Sequence, residues 1–176
     1  MTINSDAFNN DKKSSKSYLL KNGSIIDVIN KKILKSDLFI KNQVIEKIGK
    51  NLSVQIDKDT EIIECKNLYI SPGFIDLRVN ISDPGNEHKE TITTASMSAA
   101  SGGVTSIICM PNTVPPIDQP AIIQSIQRKA REVALSKIFC TGCITRNFEG
   151  NEICELHLMK ESGAVGFTDG LKSIQN

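Results

Sequence analysis

From residue 72 onward the chain alternates between short β-branched stretches and amphipathic stretches, and this alternation constrains the fold more than any other feature. Residues 104–110 form a continuous, largely β-branched run, which is typical of a strand buried on both faces. Residues 120–135 place apolar side chains at helical spacing behind Pro120, a residue that suits the first turn of a helix. Strands alternating with helices predict right-handed βαβ units and a parallel sheet.

The alternation provides four strands and three helices before the sequence reaches Asn176. We expect strands at 73–80, 104–110, 137–145 and 164–167, and helices at 88–100, 120–135 and 151–161. An eight-stranded (β/α)8 barrel takes about 250 residues, whereas 105 residues follow Ser71. The expected fold is therefore α/β, with the 72–176 segment forming a partial barrel of strands one to four.

The segment 18–71 predicts a small β unit of short strands separated by turns. Asn22-Gly23 lies between apolar runs and is a strong signal for a hairpin or another turn. Lys41-Asn42 is expected to form a second turn, and residues 61–70 a third pair of strands. Residues 1–17 are rich in Asn, Lys, Ser and Asp without an apolar segment, which favours a disordered tail over a secretory signal.

Composition excludes several functional classes. The net charge is +1 and 5% of residues are aromatic, so neither a basic surface nor a set of base-stacking side chains indicates nucleic-acid binding. No apolar run approaches the roughly 20 residues that a transmembrane helix needs. Five cysteines, an odd number, occur without a signal peptide, which favours reduced thiols in a cytoplasmic protein.

Cys140 and Cys143 form a C-x-x-C pair that could indicate a metal or redox site. They lie in the expected strand 137–145, and residues three apart on a strand point to opposite faces. No second pair completes a zinc site. We interpret both as small buried residues.

Pro72-Gly-Phe-Ile-Asp76 closes the β unit and opens the βα series, an arrangement that resembles the amidohydrolase superfamily. Four further stretches resemble the bacterial dihydroorotases within it: Asp83-Pro-Gly-Asn-Glu-His-Lys-Glu90, Ala99-Ala-Ser-Gly-Gly-Val-Thr105, Cys109-Met-Pro-Asn-Thr113 and Gly163-Ala-Val-Gly-Phe-Thr-Asp-Gly170. The resemblance runs in order from Tyr18 to Asp169. It implies a TIM-like barrel whose N-terminal half is preceded by a small β-sandwich-type unit.

The family opens or closes a cyclic amide with zinc-activated hydroxide, and its first zinc ligands are two histidines spaced i, i+2 at the end of the first barrel strand. The matching positions here are Arg78 and Asn80. Arginine is permanently cationic and has no lone pair to offer a metal. Asparagine oxygen is a poor replacement for imidazole at zinc. We therefore expect no zinc and no cofactor in this chain.

Three other family positions can be traced. The arginine that holds the substrate carboxylate falls on Ser82, whereas Asn112 matches the asparagine that helps to bind substrate. The fourth-strand signature Phe-Ser/Thr-Asp-Asp-Gly is shortened to Phe167-Thr-Asp-Gly170, which leaves Asp169 as a doubtful metal ligand. The family's later ligands, two histidines and an aspartate on strands five, six and eight, have no counterpart before Asn176.

The remaining candidates favour structural roles. His88 and His157 are the two histidines, and neither has a partner at ligand spacing. Asp76 is expected either inside the barrel or as a hydrogen-bonding residue of its strand. Gly102-Gly103 suits a helix stop better than a phosphate loop, since no G-x-G-x-x-G or Walker lysine accompanies it.

Three hypotheses of function remain open. The chain is a non-catalytic dihydroorotase homologue, whose family role would be to support an aspartate carbamoyltransferase assembly. Alternatively it represents part of an active zinc cyclic-amide hydrolase, or it is the product of a decayed gene remnant. Four strands of a half barrel would also leave two open sheet edges, so a chain of these 176 residues is expected to self-associate, to bind a partner such as a carbamoyltransferase subunit, or to aggregate.

Overall fold

The computed structural model describes residues 16–52, 59–170 and 172–174, which form two compact units divided between Pro72 and Gly73. The expected disordered tail falls mostly on residues 1–15, which lie outside the described residues. The predicted tail was wrong for its last two residues, Lys16 and Ser17. Ser17 begins the first strand, and Lys16 Nζ lies 2.6 Å from Glu61 Oε2.

The first unit is built from strands, as expected. Strand β1 pairs antiparallel with β2, and β2 pairs antiparallel with β3, whereas β4 and β5 both run parallel to β1. Leu19, Phe39 and Leu52 form its buried apolar cluster. The strands are β1 (Ser17–Asp27), β2 (Lys32–Lys41), β3 (Val44–Gly49), β4 (Thr60–Glu64) and β5 (Tyr69–Ile70).

Asn22-Gly23 is not a hairpin turn. Strand β1 continues through it, and the register with β2 shifts between Leu20 and Gly23, which is a β-bulge. Asn22 adopts a positive φ of 59°, and its N–H donates to Asp37 Oδ1 at 2.9 Å. The buried carboxylate of Asp37 therefore binds the amide that leaves the ladder, and the chain stays in the strand.

Of the other two predictions for the first unit, the turn is confirmed and the strand pair is wrong. The turn expected near Lys41 is present one residue later, with Asn42 at φ 50° and Gln43 at φ 64°. The expected strand pair at 61–70 is wrong, because β4 and β5 each pair with β1 rather than with each other. Local sequence does not distinguish a hairpin from two strands that share a third.

The second unit is the expected series of parallel strands alternating with helices. Its sheet has the order β6-β7-β8-β9, and every neighbouring pair is parallel. The strands are β6 (Phe74–Val79), β7 (Val104–Cys109), β8 (Lys137–Gly142) and β9 (Ala164–Phe167), and the helices are α1 (Ile92–Ser101), α2 (Pro120–Val133) and α3 (Leu156–Glu161).

Two helices begin later than expected. Helix α1 begins at Ile92 rather than residue 88, because Thr91 and Thr94 form a capping box that fixes its first turn. Helix α3 begins at Leu156 rather than residue 151, because Ile153 pairs with Thr145 across an antiparallel bridge. In the described ranges no helix combines the length and the apolarity that a membrane crossing requires.

The core of the second unit lies between the sheet and its helices. Ile107 and Cys109 of β7 stand beside Ile138 and Cys140 of β8, and all four side chains are buried on the helix side. Burial of one such isoleucine contributes about 1.5–3 kcal/mol. The helices complete this core with the fully buried side chains of Ile92, Ile123 and Met159.

We predict that Gly142→Ala destabilises the second unit by about 1–3 kcal/mol, the usual cost of overpacking a core. A Cβ at Gly142 would lie 2.4 Å from Met159 Cε and 3.3 Å from the Phe167 ring. Gly166→Ala is the matched control, because its Cβ would meet only Thr141 Cγ2 at 3.6 Å. Urea unfolding of both variants measures the difference, and equal midpoints would contradict this packing.

Candidate functional site at the carboxyl ends of the parallel strands

The carboxyl ends of β6 to β9 share one edge of the parallel sheet. Hydrogen bonds tie neighbouring ends together: Met110 N–H donates to Val79 O at 2.9 Å, and Thr168 N–H donates to Gly142 O at 2.9 Å. Asn80, Asn112 and Asp169 follow β6, β7 and β9, so the fold places these three sequence-predicted positions along that edge. In a barrel this edge forms the mouth where catalytic groups lie.

Strand β6 carries an irregularity beside the expected zinc position. Asp76 pairs with Ile107 and Val79 with Cys109, so β6 holds one extra residue between these pairs. Asp76 and Val79 consequently both line a cavity of about 160 Å³ against α1. Asp76 Oδ1 accepts the Arg78 N–H at 3.0 Å. Of the two expected roles for Asp76, the structure supports hydrogen bonding within its own strand.

Arg78 and Asn80 are both exposed, and Ser82 is half-buried in the loop that follows β6. Asn112 is exposed after β7, next to the buried Pro111. Helix side chains cover neither Arg78 nor Asn80. The two positions to which the sequence resemblance assigns the first zinc ligands therefore carry an exposed guanidinium and an exposed amide.

Asp83 anchors the loop after β6, a role that sequence reasoning missed. Its carboxylate is 3% exposed and accepts the Lys129 ammonium at 2.7 Å (Oδ2) and 2.9 Å (Oδ1). Oδ2 also accepts the Ile92 N–H at 3.1 Å, which satisfies a free amide at the start of α1. Lys129 lies 46 residues away, so no local spacing signals this contact.

The loop after β6 also packs on the loop after β7. Val114 N–H donates to Pro84 O at 3.0 Å. Gly85 has a φ of +101°, and a Cβ there would lie 2.0 Å from the Val114 carbonyl oxygen. The close approach of the two backbones therefore requires glycine.

Asp169 is 5% exposed, and hydrogen bonds from the segment after β8 occupy both its oxygens. Oδ1 accepts the N–H groups of Ile144 at 2.7 Å and Thr145 at 3.0 Å, and Oδ2 accepts the Thr145 hydroxyl at 2.5 Å. Burial raises the pKa of Asp169, but the hydrogen bonds from Thr145 and Ile144 lower the pKa further, so that it lies below its ordinary value. Asp169 joins the ends of β8 and β9 as an ionised carboxylate.

The cysteines near this edge are buried and free, as expected from the sequence. A hydrogen bond with Cys109 and, to a smaller extent, burial raise the pKa of Cys140 well above its ordinary value. Burial also raises the pKa of Cys143, and it raises the pKa of Cys154 to about 11. Thiols with such pKa values are protonated at neutral pH and are poor nucleophiles and poor metal ligands.

The residues present do not fit the zinc ion that the resemblance implies. Among the described residues, no three His, Cys, Asp or Glu side chains are grouped so that they could hold a metal ion. His88 is exposed, and His157 lies on the surface of α3 with Nε2 3.3 Å from Glu161 Oε1. Arg78, Asn80 and the hydrogen-bonded Asp169 leave the edge without an imidazole or a free carboxylate at the family positions.

Comparison with known families identifies the class of protein. The family model described as "Dihydro-orotase-like" matches residues 68–176, which include the whole strand-end edge. The chain belongs to this family, and the resemblance stated from its motifs is confirmed.

Curated relatives give the same result. The chain is 42% identical over 151 residues to a dihydroorotase of Aquifex aeolicus, a match that covers 86% of the chain and 35% of the relative. It is 40% identical over 158 residues to a dihydroorotase of Caldicellulosiruptor saccharolyticus, covering 90% and 36%. The chain thus spans about a third of the length of these relatives.

Solved structures show the same fold. The L-hydantoinase (dihydropyrimidinase) of Arthrobacter aurescens superposes with a TM-score of 0.73 at 25% identity, covering 85% of this chain and 32% of that one. The D-hydantoinase of a Thermus species superposes with a TM-score of 0.61 at 27% identity, covering 82% and 30%. The chain therefore has the fold of the N-terminal part of an amidohydrolase barrel, as the sequence predicts.

We predict that Asp169→Ala destabilises the second unit by about 2–4 kcal/mol, because it leaves three donors of Ile144 and Thr145 without their charged acceptor. Glu132→Ala, which removes an exposed carboxylate from α2, is the control and should be near neutral. Chemical unfolding at neutral pH measures both. A neutral Asp169→Ala variant would contradict the structural role of this carboxylate.

The same carboxylate makes the stability of the second unit depend on pH. The folded-state pKa of Asp169 lies below the ordinary value of 3.8, so its ionised form contributes stability above about pH 3.8 that is lost as the pH falls through the lower folded pKa. The difference in unfolding free energy between the parent chain and Asp169→Asn should be constant near neutrality and shrink below pH 3.8. A difference that grows on acidification would contradict the lowered pKa.

Proposed function

We propose that this chain is a non-catalytic member of the dihydroorotase family in pyrimidine biosynthesis, acting in the cytoplasm. The observation that carries the proposal is the pair Arg78 and Asn80 at the first-strand zinc positions. Family membership supports the pathway, and the chemistry of these two side chains supports the loss of the metal.

Charge repulsion disfavours a divalent cation beside Arg78. Two unit charges about 4 Å apart interact by about 1 kcal/mol in water, so a guanidinium at that distance from a divalent cation costs about 2 kcal/mol even when fully solvated. An imidazole at the same place would instead donate a lone pair to zinc. The exchange of histidine for Arg78 thus removes a ligand and adds a repulsive charge.

The state of Asp169 adds a second obstacle. A metal ion at its carboxylate would compete with the hydrogen bonds from Ile144 and Thr145. Hydrogen bonds to a charged group contribute about 1.5–3 kcal/mol each. Metal binding at Asp169 would therefore loosen the join between the ends of β8 and β9.

Zinc analysis of the purified 176-residue chain tests the proposal. We expect well below one zinc ion per chain after dialysis against micromolar zinc, and no conversion of dihydroorotate or carbamoyl aspartate. The dihydroorotase of Aquifex aeolicus, treated in the same way, controls for the loading and the assay. One tightly held zinc per chain, or turnover in either direction, would overturn the proposal in favour of the active cyclic-amide hydrolase.

Two double variants test whether Arg78 and Asn80 account for the proposed loss of zinc binding. Arg78→His combined with Asn80→His restores two imidazoles at the family spacing, and we expect it to bind zinc measurably more tightly than the parent chain, without turnover. Arg131→His combined with Asn151→His adds two imidazoles at separate exposed positions and controls for histidine content. Equal zinc affinity of the two double variants would show that the positions of Arg78 and Asn80 do not explain the missing site.

The partner that the family resemblance implies for a non-catalytic homologue is an aspartate carbamoyltransferase. We expect the chain to co-elute with the aspartate carbamoyltransferase of the same genome in size-exclusion chromatography. The ornithine carbamoyltransferase of that genome is the matched control, since it shares the carbamoyl-transfer chemistry but acts in another pathway. Separate elution of the chain and the aspartate enzyme would remove the supporting role from the proposal.

A further inference from the structure

Asn22 and Gly23 form the only Asn-Gly pair in the sequence, and they lie at a break in the strand pairing of β1. Pairing with β4 ends at Lys21, and pairing with β5 begins at Ser24. On the other side, the register with β2 shifts between Leu20 and Gly23. Within the described residues, Asn22 therefore has no partner residue in the ladders that β1 forms with these three strands. It is also exposed, so water reaches it.

Packing favours glycine at position 23. A Cβ there would lie 2.3 Å from Ile70 Cδ1 and 2.9 Å from Ile70 Cγ1. The absence of a Cβ also leaves the backbone nitrogen of Gly23 open to the side-chain carbonyl carbon of the residue before it. An asparagine before glycine consequently loses ammonia more readily than one before a larger residue. The packing of the first unit thus retains the residue that makes Asn22 reactive.

The amide nitrogen of Asn22 contacts a carboxylate at the end of β4. Asn22 Nδ2 donates to Glu64 Oε1 and Oε2, both at 3.1 Å. The Lys66 N–H donates to Glu64 Oε1 at 3.0 Å and helps to hold the carboxylate in place. Glu64 is the last residue of β4 and pairs with Lys21 of β1. The contact therefore joins the end of β4 to the bulge of β1, and it requires that Asn22 present hydrogen atoms to Glu64.

We propose that Asn22 deamidates spontaneously in the folded chain, and that the carboxylate formed weakens the pairing of β4 with β1. The Gly23 nitrogen loses its proton and attacks Asn22 Cγ. The bond from Cγ to Nδ2 breaks, and Nδ2 leaves as ammonia with that proton. Water then opens the succinimide ring and leaves an aspartate or an isoaspartate at position 22. Water is the only co-reactant, and no electrons are transferred.

The product is unfavourable beside Glu64. An oxygen would replace the Nδ2 atom that lies 3.1 Å from both Glu64 oxygens. Two hydrogen bonds are lost, and two carboxylates face each other in their place. An isoaspartate would in addition lengthen the main chain by one methylene group at the bulge. Because Glu64 ends β4, we expect the first consequence to be fraying of that strand.

The same carboxylate slows the reaction that it later opposes. The deprotonated Gly23 nitrogen and the tetrahedral intermediate at Asn22 Cγ both carry negative charge, and a neighbouring carboxylate disfavours negative charge. Glu64 is 42 residues away from Asn22 along the chain. An influence of Glu64 on the rate therefore exists only where the chain is folded.

Peptide mapping by mass spectrometry tests the modification. The purified chain is incubated in warm, mildly alkaline buffer, and circular dichroism checks that it stays folded. Asn42 and Asn67 are internal controls, because they share a positive φ, 50° and 65°, but precede Gln43 and Leu68. We expect conversion of Asn22 in large excess over both controls, with release of ammonia. An unmodified Asn22, or equal conversion at all three positions, would overturn the proposal.

A charge-neutral variant tests the role of the fold. Glu64→Gln removes the negative charge beside Asn22, so conversion of Asn22 should become at least about twofold faster. Glu61→Gln is the matched control, because it makes the same change on the same strand at a residue whose carboxylate contacts Lys16 at 2.6 Å instead. It should leave the rate unchanged. A rate that does not rise in Glu64→Gln would show that the reaction proceeds from unfolded chains, against the proposal.

Hydrogen exchange tests the consequence for β4. Asn22→Asp introduces the product carboxylate, and it should make exchange of the β4 amides about two- to fivefold faster while leaving β7 unchanged. Combination with Glu64→Gln should remove most of this effect, since the two side chains act on each other. Asn42→Asp adds the same charge at the turn between β2 and β3 and should leave β4 unchanged. Exchange in β4 that does not respond to Asn22→Asp would refute the weakened pairing.

Discussion

The parallel pairing of β7 with β8 is the interaction on which the rest of the second unit depends. It places Ile107 beside Ile138 and Cys109 beside Cys140, so that one apolar surface faces the helices. Helices α1, α2 and α3 pack on that surface through fully buried side chains. Because this core orients all four strands in one direction, their carboxyl ends meet at one edge, where the family places its chemistry.

At that edge the polar side chains are used for structure. Asp169 ties the end of β9 to the segment after β8, and Asp83 ties the loop after β6 to α1 and α2. In each case a buried carboxylate accepts at least one hydrogen bond from a backbone N–H group. These hydrogen bonds offset the cost of removing the carboxylate and its donors from water. Arg78 and Asn80 are exposed beside them. Both buried carboxylates are therefore engaged in structural hydrogen bonds, in keeping with the proposed loss of catalysis.

Much of the fold could be predicted from local pattern. The run at 104–110 and the helical spacing after Pro120 both correspond to the elements observed. A short β-branched run favours a strand, and a helix with one buried face must repeat its apolar residues at period 3.6. Two of the errors lie where residues outside the expected element compete for its backbone. Asn22-Gly23 forms a bulge because Asp37 binds the Asn22 amide, and α3 starts late because Ile153 pairs with Thr145.

The sequence by itself determined the order of strands and helices and the family, and it showed which side chains stand where the resemblance expects zinc ligands, because each is a property of neighbouring residues or of a motif. Only the tertiary structure decided what Asp169 and Asp83 do. Thr145 lies 24 residues from Asp169, and Lys129 lies 46 residues from Asp83. Contacts over such separations follow no local sequence period. From a sequence motif alone, a carboxylate is a candidate metal ligand. In the folded chain, the hydrogen-bond donors around it make it a structural acceptor.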